Sequence, residues 1–126
     1  MNNQISEVIK KVIHIPRDLH TRKDVSELNL LLESGYIELC DQIQEDEITE
    51  VLKMHPHMIN DWLQYSEDKR SSPTWHFFKG ESGKYYVEYS AEGKETEEIV
   101  TTDQFKACAT FIKREIEIDK ALIKGK

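Results

Sequence analysis

Residues 74–101, TWHFFKGESGKYYVEYSAEGKETEEIVT, decide the fold. Trp75 and Phe77 alternate with His76 and Phe78, and Tyr85, Val87 and Tyr89 alternate with Tyr86 and Glu88. A period of two in β-branched and aromatic residues is the pattern of strands that bury one face. Gly80-Glu81-Ser82-Gly83 reads as the turn joining a strand at 74–79 to one at 84–90, and Ala91-Glu92-Gly93-Lys94 as the turn into a third strand at 97–101.

Outside this stretch the period returns to that of helices. Thr101 and Gln104 have capping-box spacing, followed by a stripe of Phe105, Cys108, Ala109, Ile112 and Ile116, so a long last helix is expected to about Leu122. Before it, 66–73 is a polar connection, and Met58, Ile59, Trp62, Leu63 and Tyr65 mark a helix that His55-Pro56 separates from another at 45–54. Earlier still, Val25, Leu28, Leu31 and Leu32 form one stripe, which Tyr36, Leu39, Cys40 and Ile43 resume after a bend or break at Gly35. Ile5, Val8, Ile9, Val12 and Ile13 predict an amphipathic helix over 3–14, ended by Pro16. The expectation is an α+β fold: N-terminal helices, a three-stranded antiparallel β-meander, and a long C-terminal helix packed on the sheet.

With 126 residues, one domain spanning 1–126 suffices. With 38% apolar and 33% charged residues, and no apolar run near the roughly 20 residues of a membrane helix, a soluble globular chain is expected, with no membrane partner. MNNQISEVIKK has none of the marks of a secretory signal, which predicts a cytoplasmic location. The net charge is −7, yet residues 1–23 carry five basic and two acidic side chains, which leaves −10 for residues 24–126. That acidic body argues against nucleic acid and favours encounter with a basic protein. The basic first helix either packs on the body or is a separable arm, and 3–14 is also a route to a homo-oligomer.

No P-loop, dinucleotide-binding glycine pattern, HExxH or GxSxG is present, and neither a catalytic residue nor a cofactor is expected. Cys40 and Cys108 form no CxxC pair and read as core residues. His55, His57 and Asp61 are a candidate metal set, because His57 and Asp61 stand i, i+4 on a helix and His55 can reach the same ion. His76, with Lys84, Tyr86 or Glu88 across the hairpin, is a candidate acid–base pair. Asp41, Glu45, Asp46, Glu47 and Glu50 form a run without a basic residue, and 92–98 holds four carboxylates against Lys94. Either run is a solvated face or a surface for a cationic partner, with Trp62, Tyr65 or Trp75 as the apolar anchor.

LESGYIELC at 32–40, His55-Pro56 with INDWLQYS at 59–66, and ACATFIKRE at 107–115 resemble a small bacterial domain family of unknown function, over about residues 28–118. By size, acidity and lack of an active-site signature the chain also resembles immunity proteins of bacterial toxin systems, including contact-dependent growth inhibition. That resemblance implies a cytoplasmic inhibitor that binds and occludes a cognate nuclease-type toxin.

Overall fold

In the computed structural model of the chain, the described residues are 2–69, 74–91 and 94–125, with only the backbone described at 91 and 94–98. Six helices come first: α1 (Asn3–Ile13), α2 (Ile15–Thr21), α3 (Glu27–Ser34), α4 (Tyr36–Leu39), α5 (Glu45–Met54) and α6 (Met58–Glu67). Strands β1 (Thr74–Lys79), β2 (Tyr85–Ala91) and β3 (Lys94–Thr101) follow, and α7 (Gln104–Lys124) closes the chain. The sheet order is β1-β2-β3, antiparallel throughout. The α+β architecture expected from the sequence is the one observed.

The stripe of α1 is buried along its whole length, from Ile5 to Ile13, because α1 packs on α3 and α5. Its basic residues Lys10 and Lys11 stay exposed on the other side. The apolar face that offered a route to a homo-oligomer is thus occupied by the chain's own helices. Pro16 does not end this segment. The backbone turns at His14, and Pro16 sits in the first turn of α2, where its missing N–H leaves no hydrogen bond unmade.

Gly35, at φ 89°, divides the stripe over 24–43 into α3, α4 and a single 3₁₀ turn at Cys40–Gln42. A side chain there would be strained, and its Cβ would lie 3.3 Å from Val8 Cγ2 on α1. At the start of α7 the cap is Asp103 rather than Thr101. The Asp103 carboxylate accepts from the Phe105 and Lys106 N–H groups, while Thr101 Oγ1 accepts from Asp103 N. β3 begins three residues earlier than expected, with a register shift between Tyr89 and Ser90 that leaves Thr96 as the extra residue.

α7 runs beneath the sheet and against α5. Phe77 and Val87 are fully buried on the inner face, and Phe77 stacks on Phe111 of α7 at 5.6 Å between ring centroids. The two edges of the sheet differ. Along β1, Ser66 Oγ accepts from Phe77 N at 2.7 Å, and Lys69 Nζ donates to the Trp75 carbonyl at 3.1 Å. Ser66 of α6 and Lys69 just beyond it therefore occupy two outward backbone groups of β1, which obstructs that edge. Among the described residues, β3 packs extensively only on β2 and α7.

Candidate protein-binding surface on the outer face of the sheet

Strand alternation places His76 and Phe78 of β1, and Tyr86 and Glu88 of β2, on the face away from α7. The register then aligns them in rows that no single strand shows. Phe78 pairs with Tyr86 and Tyr86 with Val100, while His76 pairs with Glu88 and Glu88 with Glu98. The first row is apolar and open: Phe78 is 40% and Val100 45% exposed, with half-buried Tyr86 between them. Phe78 and Tyr86 stack with centroids 5.2 Å apart and planes 8° from parallel. Gly80 makes that stack possible, because a Cβ there would stand 2.5 Å from the Tyr86 ring.

The second row is polar. Burial, aided by the nearby Lys69 charge, holds His76 below the ordinary histidine range, so it is the more readily neutral at pH 7. A depression of about 440 Å³ runs beside the rows, between α6 and β1, reaching His76, Phe78 and Glu88. An apolar row fixed by stacking, next to His76 and Glu88, brings aromatic area and charge together on one face.

The structure disperses the anchors that the sequence suggested. Trp62 is 1% exposed and donates its Nε1–H to the Ile13 carbonyl at 3.0 Å, which ties α6 to the end of α1. Trp75 lies on the inner face, in contact with Tyr89 and under the Arg114 guanidinium. Tyr65 packs on Trp62 and Phe111. These three aromatics belong to the core, because helix packing rather than nearness to an acidic run decides which rings are covered. Of the acidic run, Asp41, Asp46 and Glu50 are exposed and Glu45 and Glu47 half-buried. Glu47 accepts from Gln44 N as part of the cap of α5, Glu50 pairs with Lys53, and Lys113 and Arg114 stand beside Glu45 and Asp46. The second run, 92–98, lies outside the described side chains.

His55 and His57 come close, with ring centroids 6.1 Å apart, and His14 stands 5.7 Å from His55. Asp61 does not join them. It pairs with Arg17 of α2 at 3.1 Å, because its side of α6 faces α2. Among the described residues no group of three or more His, Cys, Asp or Glu is arranged to hold a metal. His76 lies opposite Glu88 in the register, whereas Lys84 precedes β2. Both cysteines are buried, and burial pushes the Cys108 thiol well above its ordinary range.

A polar network lies behind a groove of about 660 Å³ between α2 and α6. The Tyr65 hydroxyl is hydrogen-bonded to Glu27 and, at 3.2 Å, to Glu115; Lys69 pairs with Glu115. Asp119 is 7% exposed, with one carboxylate oxygen unpartnered. Burial, then the hydrogen bond and charge of Glu27 and the charge of Glu115, push its carboxyl up to about 9 against the pull of Lys69. The raised carboxyl favours retention of a proton within the cluster of Asp119, Glu27 and Glu115, the donor that neighbouring carboxylates otherwise lack. Tyr65, raised by burial and the same two glutamates, stays a neutral donor. This arrangement ties together buried polar groups of three helices.

Sequence reasoning missed Phe78 and Val100 as surface residues and Gly80 as their support, and considered Tyr86 only as an acid–base partner. The available signal was the alternation itself, which puts Phe78 and Tyr86 opposite the core residues of their strands. Compared with protein-family models, curated proteins and solved structures, the chain matches none of them. No described helix is long and apolar enough to cross a membrane.

Proposed function

We propose that this chain is a binding protein that acts by occlusion, an immunity-type inhibitor that covers the working surface of a cognate basic, nuclease-type bacterial toxin in the cytoplasm. The observation that carries the reading is the open row Phe78–Tyr86–Val100, contributed by all three strands and bordered by His76 and Glu88. Other exposed large apolar residues, Leu32, Met54, Ile118 and Leu122, lie on helices. Buried aromatic area sets the dissociation rate of such a complex, and the charge of −7 speeds encounter with a cationic protein. The proposed contact moves the apolar anchor from Trp62, Tyr65 and Trp75 to the outer face of the sheet.

The test is affinity capture by the tagged chain from its own cells at low and high salt, with mass spectrometry of the retained protein, followed by the same capture with Phe78→Asp. A stoichiometric basic partner, retained less at high salt and lost with Phe78→Asp while Asp46→Ala keeps it, supports the reading. A partner held equally by Phe78→Asp, at unchanged thermal stability, removes the outer face from the function.

A further inference from the structure

We infer that the free edge of β3 takes up a basic, extended segment of the partner as a fourth strand, so that recognition uses backbone hydrogen bonds as well as the outer face. The inference rests on the reading of that face as the docking surface, and deepens it by naming the conformation and residue pattern of what binds.

The argument starts from the closed edge. Phe77 N and the Trp75 carbonyl point outward to Ser66 and Lys69, so residues 75 and 77 face away from β2, and 74, 76 and 78 bond to it. Backbone direction alternates along a strand. In the observed register, residues 85, 87 and 89 of β2 therefore bond to Thr101, Ile99 and Glu97 of β3. The N–H and C=O groups of Glu98 and Val100 consequently point outward, along an edge on which, among the described residues, no further element packs extensively. An unoccupied row of this kind is a template for another strand.

Charge selects the occupant. β3 reads KETEEIVT, with Glu95, Glu97 and Glu98. A second copy of β3 would set two strands of the same acidic sequence side by side, and like charges on adjacent strands repel. A basic strand does the opposite. Its register follows from the rows: the residue beside Val100 extends the apolar row Phe78–Tyr86–Val100, and the residue beside Glu98 extends His76–Glu88–Glu98. The incoming segment should therefore carry an apolar and a basic residue two positions apart. The two-residue repeat is what sends both to the same face.

The probe is a blocked peptide of Thr-Lys-Thr-Val repeated twice, titrated into the full ¹⁵N-labelled chain, with the Thr-Glu-Thr-Val repeat as control. Amide exchange at Glu98 and Val100 should slow at least about tenfold with the lysine peptide and be unchanged by the glutamate peptide. Glu98→Pro removes one outward N–H without touching the β2 ladder and should abolish binding; Glu98→Gln, which keeps that N–H, should weaken it about threefold. Unchanged exchange at Glu98 and Val100 at millimolar lysine peptide, equal binding of the two peptides, or full binding by Glu98→Pro overturns strand addition. The exchange measurement decides the matter even where the proline variant fails to fold. If the lysine peptide shifts Phe78 and Tyr86 but leaves the Glu98 and Val100 amides unprotected, the docking face stands and strand addition fails. If protection at Glu98 and Val100 persists undiminished in Phe78→Asp, the edge binds without the face and the docking-face reading fails instead.

Discussion

The two faces of the sheet are built from almost the same kinds of residue and end in opposite environments. Trp75, Phe77, Tyr85, Val87 and Tyr89 face α7, while Phe78 and Tyr86, one position along, face outward with Val100. Residue type does not separate them; the helix beneath one face does. An aromatic under α7 is a unit of stability, and its neighbour in sequence is free to serve as a unit of recognition.

Neighbouring phenylalanines give the widest contrast. Phe77→Ala empties a fully buried site against Phe111 and should cost about 3–5 kcal/mol of unfolding free energy. Phe78→Ala should cost less than about 1 kcal/mol, because its ring is already 40% exposed. Urea unfolding of the pair checks this, and equal losses would end the distinction between the faces. Gly80→Ala tests the outer face without altering any of its side chains. Its added Cβ must displace the Tyr86 ring, so the Phe78–Tyr86 stack should open at a stability cost of about 1 kcal/mol, read by aromatic NOEs and thermal unfolding.

The buried polar network sharpens the comparison from the helical side. Burial and the neighbouring Glu27 and Glu115 push the Asp119 carboxyl up to about 9, against about 4 for an unfolded aspartate, so between these values the folded chain holds the extra proton. Unfolding free energy therefore falls as pH rises through that window. Asp119→Asn removes the titration but keeps a donor toward Glu27. The melting temperature of the variant relative to the unaltered chain should climb steadily from pH 5 to pH 9, whereas a constant difference would refute the shared proton. The smallest effect is expected on α5. Asp46→Lys, beside Lys113 and Arg114, should change partner affinity less than about twofold at moderate salt.

The alternation at 74–90 made the meander and its inner face legible, since a period of two leaves one choice of buried side once Trp75 and Phe77 are paired with Val87. The outer row was not legible. It exists only through the register and through a bulge at Thr96 that no local signal marks. Trp62 looked like an anchor because a large aromatic near carboxylates fits one. Its burial follows from the approach of α1, whose Ile13 lies 49 residues away in sequence. The polar network was equally out of reach, since Tyr65 meets Glu27 across 38 residues and Glu115 across 50. Pro16 misled for a simpler reason: proline tolerates the first turn of a helix as readily as it ends one.

The hydrogen bonds from Ser66 and Lys69 to β1 also set stoichiometry. A sheet open at both ends can add chains in either direction and grow into a filament, whereas Ser66 and Lys69 obstruct addition at β1 by occupying Phe77 N and the Trp75 carbonyl. Strand addition at β3, as proposed, would then stop after one molecule. An inhibitor of the kind proposed, acting one for one, would be well served by a sheet that offers one edge for extension.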